Sequence, residues 1–244
     1  MSKTIAVVGA GPGIGMAVAE RFGREGFNVA LLARNPTALA GHASNLKDIG
    51  VGAAAFPTDV LDRVALANSI DEVISRFGSV DVLEYGPTPP PASMRLPRDT
   101  DVENEQFHLN LQVLGAIAAV RAVLPAMLER ETGTLLFTTA ASAQHPALIT
   151  GSFGIAAGAL LNYVRLLNKD LAANGVHAGL VSVAGLVAPP GKTAADNASD
   201  FPPGIPLVAA EDVAELHWRM HRDRDQVEVF AGDIDVLLAN KQLY

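Results

Sequence analysis

The chain has 244 residues, 49% of them apolar and 18% charged, with a formal net charge of −8 and no cysteine. This length and composition suit a single α/β domain over residues 1–244 with a substantial core, and exclude a disordered chain. The acidic balance argues against nucleic acid or an anionic membrane as partner, while the missing cysteine excludes disulfides, thiolate metal sites and a cysteine nucleophile and fits a cytoplasmic setting.

The first apolar run, Ile5 to Val8, breaks into Gly9-Ala10-Gly11-Pro12-Gly13-Ile14-Gly15 and resumes as Met16-Ala17-Val18-Ala19-Glu20-Arg21-Phe22. This reads as strand, tight loop, helix. Glycine permits positive φ and lets a phosphate approach the main chain closely. The helix start offers unpaired N–H groups and the positive end of its dipole to an anion. The ligand class implied is a dinucleotide. The spacing departs from G-x-G-x-x-G, because Ile14 stands where the last glycine of the frame from Gly9 belongs. What fits is G-x-x-x-G-x-G through Gly9, Gly13 and Gly15. The apolar start is too short for a secretory leader.

Asn28 to Ala33 reads as a second buried strand, and Pro36 opens a helix to about Ile49. Gly52 to Phe56 is a third strand, and Asp62 to Phe77 a helix with apolar residues three and four apart. Val80 to Leu83 is a fourth strand. A long helix from Val102 to Arg130 follows, bent at Pro125. Its apolar middle is interrupted by Asn110, Gln112 and Arg121, so it reads as buried or interfacial, with no membrane span. Thr134 to Thr138, Val176 to Val183 and Val227 to Phe230 are further strands, separated by helices from Phe153 to Ala173 and from Glu211 to Arg222. Apolar strands alternating with helices predict a Rossmann-type, doubly wound parallel sheet of about seven strands with helices on both faces. The Pro/Gly/Ala-rich stretch 188–206 is the expected substrate-side loop.

With its glycine loop and this element order, the chain resembles the short-chain dehydrogenase/reductase family from Thr4 to about Gly232. The resemblance implies that Gly9, Gly11, Pro12, Gly13, Ile14 and Gly15 hold a nicotinamide dinucleotide, that Asp59-Val60 border the adenine, and that Gly86 lies beside the cofactor. Asp81-Val82-Leu83 resembles the family's fourth strand, and Asn110 sits where the family has its structural and catalytic asparagine. No carboxylate lies between Asn28 and Asn35 to take the ribose hydroxyls of NAD. Arg34 stands there instead, suited to a 2′-phosphate, which favours NADP(H) over NAD(H). Pro12 replaces the basic residue that some NADP-preferring relatives carry in this loop.

The family moves protons through a tyrosine and a lysine one helical turn apart, with a serine orienting the substrate oxygen. Alignment puts Ala140 at the serine, Phe153 at the tyrosine and Ala157 at the lysine. The catalytic residues are therefore unknown, with Asn110, His145, Ser142 and Tyr85 as candidates. The Asn-Asn-Ala-Gly of the family is replaced by Glu84-Tyr85-Gly86-Pro87-Thr88. His108 reads as structural. His217 and His221 read as a solvated helix face, with no carboxylate cluster to complete a metal site. The reading is an oxidoreductase-like NAD(P)(H)-binding protein with a non-standard or lost active site. The alternatives are a silent nucleotide-binding sensor or partner, and a non-redox isomerase or cyclase using the old pocket. Apolar residues around the long helix and the helix from Phe153 predict a homodimer or homotetramer.

Overall fold

The computed structural model describes residues 2–188 and 205–240, so most of the loop expected at 188–206 lies outside the described residues. The strands are β1 (Thr4–Val8), β2 (Asn28–Ala33), β3 (Ala53–Pro57), β4 (Val82–Tyr85), β5 (Gly133–Ala140), β6 (Val176–Val183), β7 (Leu186–Val187), β8 (Leu207–Val208) and β9 (Glu228–Ala231). The helices are α1 (Ile14–Arg24), α2 (Pro36–Asp48), α3 (Arg63–Phe77), α4 (Val102–Leu109), α5 (Gly115–Glu129), α6 (Gly151–Leu171), α7 (Ala210–Asp223) and α8 (Ile234–Ala239). Seven strands form one parallel sheet in the order β3-β2-β1-β4-β5-β6-β9.

Alternation along the strands divides the core in two. Ala6, Val8, Leu83, Tyr85, Leu135 and Phe137 face α3, α5 and α6. Ile5, Val7, Val82, Leu136 and Val181 face α1, α2 and α7. Helix starts follow local chemistry: Asn35 Oδ1 accepts from Ala38 N ahead of α2, and Asp62 Oδ1 accepts from Val64 N and Ala65 N ahead of α3. Between α1 and α7, Phe22 meets Phe27 and Trp218 edge-on, with ring centroids 5.3 Å away in each case, and Arg21 lies 4.8 Å over the Trp218 ring.

Several expectations shift. The fourth strand begins two residues later than Val80 and ends on Tyr85. Asp81 is occupied in accepting from Thr4 N and Ser79 Oγ, while Glu84 and Tyr85 pair with β1 and β5. A carboxylate in a strand buried on both faces reads from sequence as a strand end. The long helix is continuous but passes through a π-helical turn, Asn110–Leu114, between α4 and α5. It is long and apolar enough to cross a membrane, yet Ala116, Ala119, Val120, Val123 and Met127 are buried against the sheet. His217 and His221 are not a solvated face: they are 0% and 9% exposed. Their spacing puts them on the core side of α7, where His221 Nδ1 lies 2.9 Å from Thr134 Oγ1. The two-residue pair β7–β8 and the terminal helix α8 are too short for periodicity to reveal.

Candidate active site

The glycine loop leaves β1 at Gly9, whose φ of 101° is one that side chains rarely adopt. A Cβ there would also stand 2.8 Å from Pro87 N and 2.9 Å from Gly86 C. At Gly15 a Cβ would stand 2.7 Å from Gly9 O, so this glycine lets α1 close against the loop. Gly11 and Gly13 have no neighbour nearer than 3.9 Å to such an atom, which leaves open space over the backbone. No side chain caps the N-terminus of α1 and no acidic residue occupies its first turn. Met16 N and Ala17 N donate to Gly11 O and Gly13 O, so among the described residues it is the Ile14 and Gly15 amides that remain available to an anion. Arg34 is exposed just beyond β2. Asp59, past the end of β3, accepts Leu61 N at 3.0 Å, and Val60 beside it is 7% exposed. The loop, Arg34 and Asp59 thus lie along the carboxyl ends of β1, β2 and β3, where open α/β sheets bind ligands, and the cradle fits a dinucleotide diphosphate.

The positions expected at the catalytic end fall at the end of β5 and in the first turns of α6. Ala140 ends β5, while Phe153 and Ala157 are 8% and 0% exposed in the first turns of α6. None of the three can exchange a proton. Of the proposed candidates, Tyr85 is 1% exposed and donates to Leu111 O at 2.6 Å, bracing the π turn; burial pushes its phenol up, and it does not line the cleft. Ser142 is 6% exposed, with its hydroxyl unpaired and its Cβ packed near Gly154 of α6. His145 leans toward the β9 edge, its ring 5.8 Å from that of Phe230. Asn110 faces away from α6, with Oδ1 accepting from Arg63 on α3. Two residues on, Gln112 is 4% exposed and donates to Phe153 O at 3.4 Å, tying the π turn to the start of α6. His108 is buried with Nε2 3.1 Å from Ser93 O, consistent with its structural reading.

Sequence reasoning also missed a buried polar cluster. Thr138 Oγ1 donates to Glu84 Oε1 at 2.8 Å and lies 2.9 Å from His217 Nε2. Burial pushes the Glu84 carboxyl up to about 7 and the His217 imidazole down to about 3. Only the three-residue spacing of buried positions along α7 could have flagged His217.

Residues 3–199 match the family described as short chain dehydrogenase. The chain belongs to that family. A short chain dehydrogenase of Pseudocercospora fijiensis is 27% identical over 181 residues, which is 71% of this chain and 56% of that protein, so the match spans little more than half of its length. The 3-oxoacyl-[acyl-carrier-protein] reductase of Homo sapiens is 26% identical over 182 residues, 75% of each chain. The solved L-sorbose reductase from Gluconobacter frateurii, complexed with NADPH and L-sorbose, superposes with a TM-score of 0.83 at 22% identity, covering 96% of this chain and 97% of that one. The doubly wound sheet with helices on both faces is thus the short chain dehydrogenase fold.

Proposed function

We propose that this protein is an NADP(H)-binding short chain dehydrogenase with a non-standard active site. Family membership supports the coarser reading, a nicotinamide dinucleotide-binding oxidoreductase. The observation that carries the reading is the loop itself. Gly9 and Gly15 hold conformations and contacts that no other residue fits, while the backbone at Gly11 and Gly13 is left open. Bound there, the cofactor would supply hydride at its nicotinamide ring. Gly11 to Gly15 and the start of α1 would hold the diphosphate, Asp59 and Val60 would border the adenine, and Arg34 would pair with the 2′-phosphate. Arg34 forms no ion pair among the described residues, which leaves its guanidinium available for that role.

Titration of the purified protein with NADPH and NADH, followed by nicotinamide fluorescence, tests this directly. Tighter binding of NADPH is expected, with the preference lost in Arg34→Ala. Equal affinity of the wild type for both would remove the role of Arg34, and no binding of either would remove the cofactor. Screening aldehydes, ketones, imines and enones for loss of nicotinamide absorbance tests turnover. The apolar side chains at Ala140, Phe153 and Ala157 also favour a second reading, a silent dinucleotide-binding partner or a non-redox enzyme. Dinucleotide binding with no loss of absorbance on any carbonyl would support it.

The chain is also proposed to pair with copies of itself. Leu114 is 40% exposed at the junction into α5, while Ile155 and Leu166 on α6 are 52% and 57% exposed. Such side chains on two neighbouring helices are readily covered by their own copies, as an isologous dimer requires. Light scattering is expected to give at least a dimer, and a monomer would refute it. A cytoplasmic location is proposed on the same footing, from the absence of cysteine. Fractionation of the source cells tests it.

A further inference from the structure

Along β5, Thr138 and Ala140 point to the same side of the sheet and are both half-buried, whereas Thr139 between them points to the other face and is 6% exposed. The Thr138 hydroxyl therefore lies one step below the position from which the family serine is missing. Behind it stand Glu84, 1% exposed, and His217, 0% exposed. Neighbouring positions facing the same core are Val7, Val82 and Leu136, which fill such space at far lower cost than a carboxyl and an imidazole with no ion pair. Gly86 completes the geometry. A Cβ there would stand 2.8 Å from Glu84 Oε1 and 3.1 Å from Thr138 Cβ, and Gly86 itself abuts Gly9. The cluster lies directly beneath the meeting point of the glycine loop and the strand ends.

We propose that Thr138 is the hydroxyl that hands a proton to the substrate oxygen, with Glu84 as its proton source and His217 as the group that fixes its orientation. This rests on the oxidoreductase reading above. In reduction of a carbonyl, a bound reduced nicotinamide would supply the hydride for the new C–H bond, and the C=O π pair would move to oxygen. That oxygen takes the Thr138 Oγ proton, and the Thr138 oxygen takes the proton of the Glu84 carboxyl, leaving a carboxylate. The carbonyl gains the two electrons that the dinucleotide loses. After the alcohol leaves, a proton from water returns to Glu84 through the half-exposed Thr138. Burial supports these roles: below neutral pH it keeps the carboxyl mostly protonated, while the ring stays neutral well into the acid range. Since Thr138 Oγ1 gives its one proton to Glu84, His217 Nε2 is the donor to Thr138, and it can keep that bond while the hydroxyl's own proton is redirected to the substrate.

The test compares wild type with Thr138→Val, Thr138→Ser and Glu84→Gln in NADPH-driven carbonyl turnover. NADPH affinity and the infrared band of a protonated carboxyl are measured alongside, the latter without dinucleotide at pH 6. The expected result is a kcat lowered by about 100-fold in Thr138→Val, with NADPH affinity unchanged and most activity kept in Thr138→Ser. Glu84→Gln is expected to lower kcat and to abolish the infrared band. Turnover that survives Thr138→Val, or a band that persists in Glu84→Gln, overturns the proposal and leaves the oxidoreductase reading standing. NADPH binding by the wild type with no turnover of any carbonyl overturns both.

Discussion

At Gly9 the positive φ and the contact with the Gly86–Pro87 backbone act together, so substitution there meets strain and a steric clash at once. Gly9→Ala is expected to lose dinucleotide binding and about 1–3 kcal/mol of stability, read by nicotinamide fluorescence and by urea unfolding. Wild-type affinity in that variant would refute the loop's role. The three apolar residues at the catalytic end invite the reverse experiment. Ala140→Ser with Phe153→Tyr and Ala157→Lys is expected to gain carbonyl reduction through a tyrosine–lysine pair. Because Ala157 is 0% exposed, the lysine must force its way toward the cleft, and a lower melting temperature is expected to accompany the gain.

Elements distant in sequence are coupled through Tyr85, which ends β4 and whose hydroxyl reaches the π turn only because Gly115 has no side chain. A Cβ there would come within van der Waals overlap of that oxygen. Gly115→Ala is expected to cost about 2–3 kcal/mol by overpacking, and Tyr85→Phe to recover most of it. Additive losses in the double variant, measured by urea unfolding, would deny the coupling. The same elements mark what the sequence could disclose. Strand–loop–helix alternation, Pro36 as a helix start, and the glycine spacing are local signals, and each led to the right element. The contacts of the π turn are not local: Tyr85, far off in sequence, donates to its Leu111 carbonyl, Gln112 donates to Phe153 O on α6, and Asn110 accepts from Arg63 on α3. The Glu84–Thr138–His217 cluster joins β4, β5 and α7, so no single stretch of sequence holds its chemistry. His217 and His221 read as solvated because histidines on an acidic helix usually are, and only the packing of α7 against the sheet reverses that.

Across the whole molecule, buried titratable groups set opposite limits on stability with pH. Glu84 has its carboxyl raised on folding, so its contribution is complete below about pH 4.5 and is lost as pH rises toward 7. His217 and His221 have their imidazoles lowered to about 3 and about 4, so their contribution is complete above about pH 6.5 and is lost as pH falls toward those values. The two ranges overlap, and two imidazoles outweigh one carboxyl, so stability is expected to rise through the acid range and to peak close to neutral pH. Glu84→Gln is expected to remove the carboxyl's opposing contribution, so the variant gains about 3 kcal/mol on the wild type between pH 5 and 8 by linkage. Urea unfolding at the two pH values measures it, and parallel curves for wild type and variant would refute it. The molecule carries its own probe for such measurements. Trp218 is the one tryptophan in 244 residues. It is wedged against Phe22 and Phe27 under the Arg21 guanidinium, on the helix that carries His217 to the cluster. Its emission reports the seam between α1 and α7 without any label. A change in its colour before the rest of the chain melts would reveal the dinucleotide-binding half parting from the helix that supports the proton store.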